Sequence, residues 1–170
     1  MKRLALAAAL FVLPAIAAAQ APPPAAKVDA ERLYSGRWLD IGRTPMWITD
    51  GCVAGATNYE RRADGKVAVR DTCEMGAPGG KEKAIAGTGR ILDPGTNAKL
   101  RVNYPFLITW DYWILDHDPD YRWFIASDPK LKRIFLYTRE VPSPAERQAL
   151  VDRAKALGYD VTKMEFPATR

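Results

Sequence analysis

Ala98, Leu100, Val102 and Tyr104 alternate with Lys99, Arg101 and Asn103, a strict two-residue period that predicts a strand with one apolar face turned inward. Apolar-rich runs of similar length recur over 37–43, 53–62, 66–73, 83–92, 109–116, 121–127 and 133–138, which with 98–104 makes eight predicted strands. Short turn signals part them: Ala63-Asp64-Gly65, the Gly-rich stretch 76–80, Asp93-Pro94-Gly95, Asp118-Pro119-Asp120 and Asp128-Pro129-Lys130. Short connections between successive strands imply an antiparallel meander. Such a meander removes its exposed edges most economically by closing into an up-and-down barrel. A barrel of that size has room for one small ligand unless its inward side chains fill it.

The period changes after Thr138. Ser143-Pro144-Ala145-Glu146 joins an N-cap Ser, a Pro at the first helical position and a Glu three residues after the cap, so a helix begins there. Ala149, Leu150, Arg153, Ala154 and Leu157 lay a narrow stripe along one side and Gly158 ends it, which suits a helix packed outside the sheet. Residues 161–166 can supply a last short strand, and 29–33 one helical turn ahead of the first strand. Thr44-Pro45 stops the first strand and leaves Met46-Trp47-Ile48 in a loop, where these apolar residues either tuck beneath the loop or form a lid over a cavity. The predicted fold is therefore all-β, an eight-stranded antiparallel up-and-down β-barrel with a C-terminal α-helix packed outside.

Composition narrows the function. Met1-Lys2-Arg3 is cationic, 4–16 is apolar, and Ala17-Ala18-Ala19 offers small residues for cleavage before Gln20, so 1–19 reads as a secretory signal peptide. The apolar run is too short for a membrane anchor and Pro14 interrupts it. No Cys stands at the cleavage point, so the expected location is periplasmic or secreted, without a lipid anchor. Residues 20–28, with three consecutive prolines, read as an N-terminal arm, and 29–170 as one domain. Losing Lys2 and Arg3 takes the formal net charge from +5 to +3, and the remaining basic residues are scattered among acids, which argues against nucleic acid as a partner. Cys52 and Cys73 in an exported chain read as one disulfide flanking a hairpin; with a single His they are too few and wrongly spaced to bind a metal. That His117, between Asp116 and Asp118, reads as a solvent-exposed turn residue, and no Ser occupies a nucleophile elbow, so neither a catalytic residue nor a cofactor is expected.

One constellation goes beyond composition. Gly36-Arg37-Trp38 heads the first strand, Asp118-Pro119-Asp120-Tyr121 precedes the seventh, and Arg139 follows the eighth, ahead of the helix. In that order these features resemble the lipocalins, and most of all the bacterial, apolipoprotein D-like members, over nearly all of residues 29–166. The resemblance implies a barrel closed at one end, where Arg139 lies on the Trp38 indole as a cation–π partner and Gly36, Asp118 and Tyr121 are structural. It also implies an apolar pocket at the other end that takes a fatty acid or lysophospholipid, with peripheral contact to a membrane as a further expectation. Phe135 and Tyr59 match pocket-lining positions of the family, Tyr137 shares a face with Phe135, and Leu100, Val102 and Tyr104 point inward by alternation. Trp47, Tyr112 and Trp123 complete the candidate ligand-binding set, although Tyr112 and Trp123 lie on strands apolar on both faces. Two alternatives stand beside the carrier: an enzyme on the same barrel, and an envelope protein whose aromatics fill the barrel and leave no ligand site.

Overall fold

The computed structural model describes residues 20–169, so the signal-peptide reading of 1–19 lies outside them. Eight antiparallel strands form a closed barrel: β1 (Gly36–Arg43), β2 (Cys52–Arg61), β3 (Val67–Met75), β4 (Lys81–Ile91), β5 (Lys99–Asn103), β6 (Thr109–His117), β7 (Trp123–Ser127) and β8 (Ile134–Thr138). Each strand pairs with the next and β8 returns to β1, so the barrel has no free edge. A one-turn helix, α1 (Ala30–Leu33), precedes the barrel, and α2 (Pro144–Ala156) follows it. The expected last strand over 161–166 is instead a 3-10 turn, Val161–Lys163, followed by a single antiparallel bridge between Glu165 and Arg43. Asp160 caps that turn through its carboxylate, a short-range bond that competes with extended pairing.

Two cores lie on either side of the sheet. The inner one, at the closed end, packs Trp38, Tyr59, Val67, Val69, Leu100, Val102 and Phe124. It closes tightly because β4 contributes glycines to it: a Cβ on Gly87 would stand 2.7 Å from Val102 Cγ1, and one on Gly89 would stand 3.0 Å from Leu100 Cδ1. The outer core lies under α2, where Leu150 and Ala154 cover Leu39, Ile41, Ile125, Ile134 and Leu136. Ser143 starts that helix as expected, its side chain accepting from the Glu146 amide while Glu146 Oε2 accepts from the Ser143 amide at 2.8 Å. Strand alternation thus buries both faces of β1, β7 and β8, one in the barrel and one under the helix.

The closed end is fastened by polar contacts. The Arg139 guanidinium lies 3.5 Å from the Trp38 ring centre and donates to Ser35 O and Arg32 O, each at 2.7 Å, while Trp38 Nε1 donates to Leu33 O at 2.9 Å. Gly36, between them, has φ +63°, a conformation that excludes most side chains. Asp118 accepts from the Asp120 and Arg122 amides and from the Arg122 guanidinium, which holds its carboxyl below the usual carboxylate range. Tyr121 OH accepts from the Asp29 amide at 2.6 Å. The turn also holds His117, which is half-buried rather than a free turn residue: its ring stacks on Tyr121 at 4.7 Å, and its two nitrogens meet Asp118 O and Lys27 O. The N-terminal arm is likewise docked, with the Ala25 amide donating to Ile114 O at 2.8 Å and Val28 fully buried.

Candidate ligand-binding cavity

Above the closed end the barrel opens into a cavity of about 260 Å³. Its aromatic wall comes from Tyr104, Trp110 and Tyr112 on one side and Phe135 and Tyr137 of β8 on the other. Tyr112 and Phe135 meet with ring centres 5.5 Å apart, and Phe135 and Tyr137 stack at 6.2 Å. Met46, Ile48, Ile85 and Ile108 complete the apolar lining. Cross-strand pairing explains the facing, because directly opposed residues share a side of the sheet. Tyr112 is opposite inward Leu100, and so enters the barrel; Trp123 is opposite Thr138 while Phe124 is opposite inward Tyr137, and so Trp123 leaves it.

Four of the nine expected ligand residues, Tyr104, Tyr112, Phe135 and Tyr137, line this cavity. Tyr59, Leu100 and Val102 point inward as expected but lie below it, in the closed-end core; Tyr59 is held there edge-on against Tyr34 at 5.8 Å. Trp123 packs outside the barrel against the α2 cluster, with the Arg153 guanidinium 4.7 Å from its ring centre. Trp47 is 78% exposed, because the loop is a 3-10 turn (Trp47–Thr49) that sends neighbouring side chains to different sides. Its neighbours Met46 and Ile48 reach the cavity instead.

The cavity floor and wall carry charge. Asp71 Oδ1 accepts from Thr57 Oγ1 and Oδ2 accepts from the Tyr104 hydroxyl, each at 2.6 Å. Burial pushes the Asp71 carboxyl up, opposed by these two hydrogen bonds. On the β1 side Arg43, 2% exposed, donates to Asp40 Oδ2 and Glu165 Oε1 at 2.6 Å and to Cys52 O at 3.0 Å. Burial works to lower the Arg43 guanidinium, but Asp40 and Glu165 outweigh it and the net direction is up; burial likewise pushes Asp40 up. Cys52 and Cys73, Cα atoms 5.4 Å apart, form a disulfide between β2 and β3 on the same wall.

The match with known proteins follows the same extent of chain. A family model described as a lipocalin-like domain matches residues 28–169. Temperature-induced lipocalin-1 of Arabidopsis thaliana is 32% identical over 148 residues, covering 81% of this chain and 77% of the plant protein. This chain belongs to the lipocalin family. Solved lipocalin barrels share its fold: insecticyanin from the tobacco hornworm Manduca sexta superposes with TM-score 0.68 at 16% identity, over 89% of this chain and 87% of that one. The cockroach allergen Per a 4 gives 0.65 at 16% identity, over 90% and 96%. In this lipocalin the Gly36-x-Trp38 strand and Arg139 close the barrel end opposite the cavity, and lipocalins generally bind small hydrophobic ligands.

Sequence reasoning missed Asp40, Arg43, Asp71, Thr57 and Trp110. The signal for Asp71 was present, since inward Val67 and Val69 place the next alternate residue inward too, and inward Trp38 does the same for Asp40. Arg43 could not be reached this way. The pairing of β1 with β8 shifts register between Asp40 and Gly42, and this irregularity returns Arg43 to the inner face.

Proposed function

We propose that this lipocalin is an exported carrier, periplasmic or secreted, that holds a single-chain amphiphile in the barrel cavity. A fatty acid or lysophospholipid is the first class to test. The observation that carries this reading is the cavity itself: five aromatic side chains and the larger aliphatic ones of Met46, Ile48, Ile85 and Ile108 converge on a space reachable at the open end, above a sealed floor. Burying an acyl chain there stabilises the complex by about 0.8 kcal/mol per CH2. A carboxylate or phosphate head would stay at the mouth, where Lys83 lines the rim, because Asp40 and Asp71 lie deeper. The Asp118-Pro119-Asp120-Tyr121 turn supports a place among the bacterial, apolipoprotein D-like members.

Peripheral membrane contact fits the same end of the barrel. Trp47, Phe106 and Leu107 are 78%, 91% and 99% exposed, and stand in the two loops that carry Met46, Ile48 and Ile108 into the cavity mouth. Carriage rather than catalysis is supported by the state of the reactive groups: both cysteines are bonded to each other, and His117 is clamped at the closed end, away from the cavity. Extraction of the purified protein and mass spectrometry of what co-purifies is the direct test. An acyl amphiphile at near one-to-one ratio is expected; a protein that carries none and takes up none from added lipid would overturn the carrier reading.

A further inference from the structure

The cavity floor holds an acid with no cation to match it. None of the ion pairs among the described residues includes Asp71. Arg43, the buried cation on the wall, is already committed to Asp40, Glu165 and the Cys52 carbonyl, and Lys83 at the rim is exposed. Asp40 also lines the cavity; the residue is 7% exposed, and its Oδ1 accepts no hydrogen bond. With Asp40 paired to Arg43 at 2.6 Å, Asp71 is the acid lining the cavity that no ion pair among the described residues matches.

Aromatic rings surround that charge. Tyr104 donates to Asp71, its oxygen lies 3.5 Å from the Tyr112 hydroxyl, and Thr57 Oγ1 links Asp71 to the Tyr137 hydroxyl at 3.4 Å. Trp110 stands edge-on to both Tyr104 and Tyr112, with ring centres 6.0 and 6.2 Å away, and the Arg133 guanidinium lies over its ring, 4.9 Å from the centre. Ring faces attract cations, the more so where water is excluded. We propose that this floor is a receptor for an organic ammonium group, with Asp71 as counter-charge, the Tyr104 and Tyr112 rings beside it, and the apolar body of the ligand directed toward the mouth.

The chemistry discriminates in one direction. A ligand carboxylate driven to the floor meets the Asp71 and Asp40 carboxyls, whereas an ammonium supplies the cation Asp71 lacks and satisfies it as an ion. The empty site disfavours the ionised form, since burial pushes the Asp71 carboxyl up, and the bound cation reverses that cost. A cavity of 260 Å³ has room for about nine water-sized groups, so the head and a short part of the body are enclosed and the remainder of a longer chain leaves through the mouth. This inference rests on the cavity being the ligand site; it does not rest on the ligand being an acyl carboxylate.

The test is competition against N-phenyl-1-naphthylamine, a neutral fluorescent lipophile, using dodecylamine, dodecanol and dodecanoate on the intact mature protein. Dodecylamine should bind about tenfold or more tighter than dodecanoate. In Asp71→Asn that preference should vanish, with the amine falling to the level of the alcohol. The wild-type comparison stands without the variant should the variant not fold. Dodecanoate binding as tightly as the amine, or full amine preference in folded Asp71→Asn, would overturn the proposal while leaving the cavity reading intact. If neither the probe nor any of the three ligands bound, the cavity reading itself would fall and the proposal with it.

Discussion

Replacing Arg139 by Ala tests whether the closed end is structural. The guanidinium covers the Trp38 ring at 3.5 Å and donates to three carbonyls, those of Ser35 and Arg32 at 2.7 Å and Arg37 at 3.1 Å. The half-buried stack accounts for about 1–2 kcal/mol. The three charge-assisted bonds add about 1–2 kcal/mol in total, well below their separate values because these carbonyls lie near the surface and are rehydrated when the side chain is removed. A loss of about 3 kcal/mol lowers Tm by about 6–12 °C in a domain of this size. Arg139→Lys should recover less than half of this, since one ammonium cannot lie flat on the indole and fork to three acceptors. Thermal and urea unfolding followed by tryptophan fluorescence reads the stability, and probe binding at a temperature where the variant is folded reads the cavity. Unchanged stability with lost binding would refute the assignment.

The remaining predictions concern the wall and the inner core. Reducing the Cys52–Cys73 bridge, or Cys73→Ser, should cost about 3 kcal/mol, the value for a loop closed over 21 residues, and two free thiols in the denatured, unreduced protein would remove the premise. Because the folded Asp71 carboxyl is held above its unfolded value, its contribution to stability is present below the unfolded pKa and is lost as pH rises through the folded one. Asp71→Asn should therefore raise Tm at neutral pH and flatten this part of the pH profile in the empty protein; a lowered neutral Tm would count against it. Gly87→Val should destabilise by about 1–3 kcal/mol or more, since its first side-chain atom already stands 2.7 Å from Val102; a variant as stable as the parent would show that β4 yields freely there.

The barrel was legible because period-two alternation and turn chemistry are local. Leu100, Val102 and Tyr104 point inward as their charged alternates require, and the Ser143 cap starts α2 where the capping pattern places it. Depth along the barrel axis was not legible: alternation tells inside from outside, yet Val102 lies sealed beneath the cavity while Tyr104, two residues on, reaches into it. This follows from stagger between strands, set by register rather than by sequence pattern. The same limit hid Trp123, since a strand covered by α2 on one side and by the barrel core on the other has no polar face to orient it. The charged wall was hidden for another reason. Acids read one at a time suggest solvent, and only the placement of Asp71 in alternation with Val67 and Val69 puts it inside.

The central claim is that the barrel cavity is the ligand site, and filling it is the most direct test. Ile85 faces the cavity from β4, opposite Asp71 in register, and is half-buried, so Ile85→Trp adds bulk where the ligand would lie without entering the sealed core. Titrating N-phenyl-1-naphthylamine into the parent should give saturable one-to-one binding. A folded Ile85→Trp protein should show that binding lost, and a folded variant that binds the probe as tightly as the parent would contradict the account.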